Sequence, residues 1–373
     1  MTSVTFIHSA DWQLGMTRKY LSDEAQARYT GARVDTIRTI GELAHTEGAQ
    51  FIVVAGDVFE HANLSTRDVV RAYEAMAETR LPIYLLPGNH DPLGPGSIWS
   101  GEAQSSRPDN VTILDHEGPF DVSPSVEIVA CPWYTKHPGH DPVTGILASL
   151  KPTDKTRILV AHGMLDVLDP DKQSETLVDT AALRGAVRDG LVDYVALGDR
   201  HICWTDPETG AINYSGTHES TGPREKSRGT ALAVTLDGST VTTTRHEIGR
   251  WLHVDIHRHV SSMEDIALLE SDFASITHKD CAIVRTVLTG TLSMAAAAAL
   301  DRLLEAQTHV FASVYKWERH TDLVVVPDDA DESLLGLSGF AAEAMAELRE
   351  LAQQGDKTAS DALLLLYRLG ATS

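Results

Sequence analysis

The sequence predicts an α/β protein with a smaller α+β unit appended and two helices at its C-terminal end. Three observations carry this expectation. Short apolar runs alternate with amphipathic stretches up to about residue 246, the signature of an α/β sheet. From Arg250 the texture changes to a second, shorter set of strands and helices. Pro327-Asp328-Asp329 then breaks the pattern, and apolar residues recur at helical spacing beyond it. At 373 residues the chain is long enough for more than one core.

In order, Val4–His8, Phe51–Ala55, Ile83–Leu86, Val126–Cys131, Ile158–Ala161 and Tyr194–Leu197 read as strands. Ala32–Glu47 and Ser65–Thr79 read as helices between them, the second opening on Ser65-Thr66-Arg67-Asp68, a capping box. Thr230–Thr235 and Thr240–Arg245 flank Asp237-Gly238 and predict a hairpin. In the second unit Leu252–Ile256, Ala282–Leu288 and Val314–Val326 read as strands, the last as one or two. Ser262–Ile276 and Met294–His309 read as helices, with Ala295–Ala299 a strong helix former. In the tail, Leu337, Phe340, Ala344, Leu348 and Leu351 predict one helix, and Leu363–Leu366 with Tyr367 a second, separated by Gln354-Gly355-Asp356.

Composition narrows the function. With 42% hydrophobic and 23% charged residues the chain is typical of globular proteins, and it has no run of about 18 apolar residues that would span a membrane. The start, Met1-Thr2-Ser3-Val4, lacks the basic and apolar regions of a signal peptide, so the expected address is the cytoplasm. Cys131, Cys203 and Cys281 are too scattered for a disulfide scaffold or a thiolate zinc site. The formal net charge of −22, with no basic block, disfavours an autonomous grip on duplex DNA. The substrate is then small, or its phosphate contacts are local, or a partner supplies the grip.

Five segments carry chemistry: Asp11-Trp12-Gln13, Gly56-Asp57-Val58, Gly88-Asn89-His90-Asp91, His162-Gly163 and Gly198-Asp199-Arg200-His201. Each follows an expected strand, and ligands of open α/β sheets gather outside the strands' carboxyl ends. Carboxylates, an amide oxygen and imidazoles suit manganese, iron or zinc. An aspartate able to bridge, with ligands on either side, suits a pair of metals that activates water against a phosphate ester.

These motifs resemble the calcineurin-like metallophosphoesterases, and among them the nuclease subunits of the SbcCD type and the branch related to YhaO. The resemblance implies an αββα sandwich over residues 1–248, an α+β capping domain over 249–328 and a C-terminal helical segment over 329–373. It implies two divalent metal ions, manganese first, with iron, magnesium or zinc as alternatives. It places Asp11, Gln13, Asp57 and His201 around one metal, and Asp57, Asn89, His162 and Asp199 around the other. His90 becomes the histidine that assists the transition state, with Asp91 orienting its ring. The implied partners are DNA and an SbcC-like ATPase of the structural-maintenance type, bound through the C-terminal helices. Two positions depart from the family pattern: Gln13 stands where the family has histidine in DxH, and Asp199 stands for the first histidine of GHxH. A neutral amide is a weaker ligand than imidazole, so a weak or metal-selective first position is expected.

Other residues have plainer readings. His8 reads as a core histidine and Cys203 as a buried inert thiol. Arg200, Arg224 and Arg228 are candidates for phosphate contacts, and His218 for either the cleft wall or a surface loop. The apolar tail docks on a partner or a second copy of the chain, or packs on its own domain. The expected function is a metal-dependent phosphodiesterase acting as the nuclease subunit of a DNA-repair complex. The rivals are a small-nucleotide phosphodiesterase or phosphatase, which suits the acidic charge, and a catalytically degenerate repair subunit, which Gln13 and Asp199 motivate.

Overall fold

Strand β1 (Val4–Ser9) is buried along nearly its whole length because its two faces meet different layers. Val4 and Phe6 turn into one core and Ile7 into another, as the two-residue period of a strand requires. The computed structural model describes residues 3–139, 141, 143–169, 176–326, 339–354, 356, 358, 359, 361–363 and 365. It divides into two compact units, the first comprising residues 1–18 and 26–251, the second residues 19–25 and 252–373.

The first unit holds two six-stranded sheets. One runs in the order β12 (Thr240–Glu247), β11 (Thr230–Asp237), β1, β2 (Phe51–Val54), β3 (Ile83–Leu85) and β4 (Val111–Ile113). The other runs β5 (Gly118–Ser123), β6 (Val126–Cys131), β7 (Thr156–His162), β8 (Tyr194–Gly198), β10 (Ile212–Tyr214) and β9 (Trp204–Thr205). β1 to β4 are mutually parallel, as are β6, β7, β8 and β10. Phe6, Phe51 and Val234 of the first sheet meet Ile128, Val160 and Tyr194 of the second in a shared core. The outer face of the first sheet packs on α1 (Asp23–Thr46) and α2 (Thr66–Glu78) through Ile37, Ile40, Tyr73 and Met76. The outer face of the second packs on α3 (Thr144–Ser149) and α4 (Thr180–Arg188) through Ile146 and Leu183. The result is the αββα sandwich, and strands covered on both faces explain why their sequences are near-continuous apolar runs.

Half of the expected capping box is formed: Ser65 accepts from the Asp68 amide at 3.2 Å, while the Asp68 carboxylate takes the Ser65 hydroxyl at 2.7 Å. Helix α1 begins nine residues earlier than its periodicity suggests. Ser22 caps Ala25, and Asp23 and Glu24 sit in the first turn where the helix dipole favours acidic groups. Gly31, which breaks the apolar pattern, is accommodated inside the helix.

In the second unit β14 (Ala282–Ser293) is central and parallel to three others: β13 (Leu252–His259), β15 (Ser313–Lys316) and β16 (Asp322–Val326). β15 and β16 pair with successive halves of the same long strand, so the stretch read as one or two strands is two. Helices α5 (Met263–Ser275) and α6 (Met294–Thr308) cover it through Leu269, Phe273 and Leu300 against Val284 and Leu288. In the tail, α7 (Phe340–Gln353) packs Met345 with Leu363 onto Met294 and Ala298 of α6. Phe340 is 86% exposed, and Leu351 and Leu365 are also open to solvent. Leu337, Gly355, Leu364, Leu366, Tyr367 and Pro327-Asp328-Asp329 lie outside the described residues. Among the described residues, no helix is long and apolar enough to cross a membrane.

Candidate metal centre

Parallel pairing brings the carboxyl ends of the relevant strands level. Ser9 lies opposite Val54, Val54 opposite Leu85, and His162 opposite Gly198. The two sheets also close on each other there. His162 Nδ1 lies 2.9 Å from the Ala55 carbonyl oxygen, and a Cβ on Gly198 would fall on that same oxygen. Gly198→Ala is expected to push β8 away from β2, destabilising the fold by about 1–3 kcal/mol and loosening the site. A melting temperature equal to that of the parent protein would contradict this.

The loops themselves are bent in an unusual way. Asp11, Gln13, Asp57 and Asp199 all have positive φ, at 52°, 42°, 52° and 94°. Among the described residues only Arg80 and His278 share this among non-glycines. Such backbones cost about 1–3 kcal/mol each and persist where surrounding contacts over-determine them. Here the Asp11 amide donates to Gly56 O at 3.1 Å and the Gln13 amide to Asp57 O at 2.8 Å. Thr217 Oγ1 donates to Asp11 O at 2.7 Å, and buried Arg33 donates to Trp12 O at 2.7 Å.

These bends turn the side chains inward. Asp11, Asp57 and His162 are buried and offer ligand atoms that all lie within 4.8 Å of one another. A carbonyl only accepts, so His162 Nδ1 carries its proton to Ala55 and Nε2 faces the site. That Nε2 is 3.4 Å from Asp57 Oδ1 and 3.9 Å from Asp199 Oδ1. Asn89 joins them, its Oδ1 2.8 Å from His162 Nε2. Asp199 is tied to the other loop by its amide, which donates to Asp11 Oδ1 at 3.0 Å.

On the other side of Asp11 stand Gln13 and His201, their Nε2 atoms 3.3 Å apart. Gln13 Oε1 is buried without a hydrogen-bond partner. The far nitrogen of His201, Nδ1, meets Thr221 Oγ1 at 2.7 Å and Glu225 Oε1 at 3.2 Å.

The electrostatics follow from packing carboxylates out of water. Burial pushes Asp11 up to about 6, against the pull of His201 and His162. Burial also works upward on Asp57, but His162 and His90 outweigh it and hold Asp57 at about 2. Burial alone would lower the His162 ring, yet Asp57, Asp11 and Asp199 raise it well above its usual value. For His201, burial is likewise overcome by the Glu225 hydrogen bond and the Asp11 charge, which push it up to about 9. Such a pocket is short of positive charge. Hard oxygen donors, two imidazoles and an orphaned amide oxygen fit divalent cations.

The turn Gly88–Asp91 arranges its residues differently from the sequence reading. His90 Nδ1 lies 3.0 Å from Glu60 O, and its Nε2 is 4.0 Å from Asp57 Oδ2. The Asp91 carboxylate does not back the ring. It accepts from the Gly88 amide at 2.7 Å and the Phe59 amide at 3.0 Å, because two inward-facing amides there need an acceptor. Asp91 therefore holds the turn, and Glu60 orients His90.

A cleft of about 690 Å³ opens beside this cluster, bordered by Asn89, Lys136, His137, Asp199, Arg200 and Arg224. Arg200 and Arg224 thus both line it, and so do Lys136 and His137, which nothing in their local sequence marks. His218 is neither cleft wall nor surface. It is fully buried, with Nε2 2.9 Å from Arg33 O and its ring beside Trp12, so it is out of a substrate's reach. His8 is a core histidine held between Tyr194 Oη and Leu197 O, and burial lowers it to about 3.

Comparison with known proteins agrees with this architecture. The chain is 32% identical over 100 residues to the uncharacterized metallophosphoesterase YhaO of Bacillus subtilis, covering 25% of this chain and 24% of that one. It is 36% identical over 91 residues to the SbcD component of the SbcCD nuclease from Rhodobacter capsulatus, covering 23% and 21%. The matched stretch thus spans less than a quarter of either relative. A dimetal phosphatase from Danio rerio aligns over 66% of this chain and 99% of its own, at 12% identity and a TM-score of 0.39. The calcineurin-like phosphoesterase profile matches residues 4–203, more than half of the sequence. This chain, with its strand-end cluster of aspartates and histidines, belongs to the calcineurin-like phosphoesterase family.

Proposed function

We propose that the chain is a divalent-metal phosphodiesterase that cuts DNA as the nuclease subunit of a cytoplasmic, SbcCD-like repair complex. The observation that carries this reading is the convergence of Asp11, Asp57 and His162 beside a cleft with basic walls. The relative named as a component of the SbcCD nuclease supports the choice of substrate. Residues 1–248 form the nuclease domain, in keeping with the compact unit that ends at Trp251. Residues 249–328 form the cap, and residues 329–373 carry the surface for an SbcC-like ATPase, where Phe340, Leu351 and Leu365 are exposed.

Two divalent ions, manganese first, supply Lewis acidity and an activated water when bound. Asp11, Gln13, Asp57 and His201 hold one, and Asp57, Asn89, His162 and Asp199 hold the other. Arg200 and Arg224 hold the phosphate oxygens in line. His90 enters the step with both ring nitrogens protonated: it keeps the Nδ1 proton on Glu60 O and passes the Nε2 proton to the leaving oxygen, ending as the neutral ring.

One feature favours a smaller substrate: the net charge of −22 gives duplex DNA little to bind without a partner. The test is digestion of linear DNA by manganese-loaded protein, with and without the ATPase, beside hydrolysis of a mononucleotide phosphodiester. Manganese-dependent shortening of DNA, faster with the ATPase, is expected. Turnover of the nucleotide alone selects the smaller substrate. No turnover of either by metal-loaded protein removes the phosphodiesterase reading.

A further inference from the structure

Glu225 is a buried carboxylate to which the chemistry above gives no part. It follows Arg224 on the loop Thr221–Glu225, and its oxygens are fully engaged. Oε2 accepts the Thr221 amide at 2.6 Å, and Oε1 accepts the Thr221 hydroxyl. The same Oε1 lies 3.2 Å from His201 Nδ1, and Thr221 Oγ1 lies 2.7 Å from it. Arg18 secures the loop from the other side, its Nε donating to Thr221 O at 3.0 Å.

The directions of these bonds are forced. An ionised carboxylate only accepts, so the Thr221 hydroxyl proton points to Glu225. The lone pairs of Oγ1 are then left for an N–H, and Nδ1 of His201 must supply it. Once the ring is neutral, its other nitrogen, Nε2, turns a lone pair toward Gln13, 3.3 Å away. A carboxylate behind an imidazole fixes the tautomer and strengthens the ring as a donor.

We infer that Glu225, acting with Thr221, is a positioning residue that sets the His201 ring and strengthens it as a ligand, offsetting the neutral amide that Gln13 brings to the same cation position. This rests on the metal-binding reading above. A residue that merely capped its loop would be worth stability but would leave ring tautomer and cation affinity alone.

The experiment uses the full chain. Manganese binding is followed by calorimetry, and the imidazole nitrogens of His201 by 15N resonance in metal-free protein above pH 9, where the ring has lost its second proton. Glu225→Gln is expected to weaken one manganese site by about 10–100-fold, leave the other unchanged, and shift His201 from the Nδ1–H form toward a mixture of tautomers. Thr221→Ser, which keeps the hydroxyl, is expected to retain both properties, and Thr221→Val to lose them. The inference is overturned if Glu225→Gln leaves tautomer and both affinities as they were. It is equally overturned if the two sites weaken together with a lowered melting temperature, as a simple cap would give. Should the parent protein bind no manganese, the metal reading fails instead, and the tautomer measurement still decides whether Glu225 sets the ring.

Discussion

Asp57→Asn will abolish the manganese-dependent rise in melting temperature and lower phosphodiester hydrolysis by about 10³-fold or more. Asp57 is buried and central: its Oδ1 is 3.4 Å from His162 Nε2 and accepts the His90 amide at 2.9 Å, and Asp11 lies in the same ligand cluster. It is the one carboxylate assigned to both cations, so its loss weakens both at once. A metal ion contributes several kcal/mol to a phosphoryl transition state, and each ~1.36 kcal/mol is tenfold in rate. The amide is isosteric and still accepts the His90 amide, so the metal-free fold survives. A ligand at free concentration L that binds only the folded form stabilises it by RT ln(1 + L/Kd), so lost affinity is read as a smaller rise in melting point. Calorimetry showing two unaltered manganese sites in Asp57→Asn would sink the assignment.

The second large effect lies away from the ligands. Arg33→Met is expected to cost about 3–5 kcal/mol of stability and to weaken cation binding as well. Arg33 is fully buried and donates to Trp12 O at 2.7 Å, to Tyr29 Oη at 2.9 Å, and to the carbonyls of Glu219 and Ser220 at 3.3 Å. Its guanidinium also lies 4.8 Å from the centre of the Tyr29 ring. Methionine fills the space but satisfies none of these acceptors, and buried acceptors left unpaired carry their full desolvation cost. Trp12 sits between Asp11 and Gln13, both in left-handed backbone, so releasing its carbonyl frees both to relax. Thermal melts with and without manganese report the two consequences separately. A melting temperature within a degree of the parent protein would refute the structural half. Unchanged manganese affinity in a destabilised variant would refute the other.

The legible part of the fold was the part with local causes. Phe51–Ala55 and Ile158–Ala161 read as strands because an apolar run that short, bounded by turn residues, has few other uses. Ser65 and Asp68 marked a helix start because a cap needs only four consecutive residues. The α1 start was misjudged because Gly31 interrupts the apolar pattern, while the cap at Ser22 lies nine residues upstream of it. The candidate ligands were legible for a similar reason: a polar residue immediately after a buried strand sits where a sheet collects its ligands.

What surrounds those ligands was not legible. Asp91 faces backbone amides rather than the ring of His90, and His218 sits deep behind Trp12 rather than on the cleft. Glu225 reaches His201 from 24 residues away, and Ala55 O meets His162 across 107. No periodicity or motif encodes such contacts, because they depend on how closely two sheets approach and how each loop bends.

By itself the sequence determined the long apolar strands, their order along the chain and the chemical kinds of atom offered at their ends, since each of these follows from neighbours within a few residues; the short strands β4, β5, β9 and β10 carry too few apolar residues to be read this way. Only the tertiary structure decided which of those atoms share a pocket, which proton each imidazole keeps and which buried carboxylate stands behind it. Those depend on desolvation and on hydrogen-bond direction, and both are properties of the packed molecule.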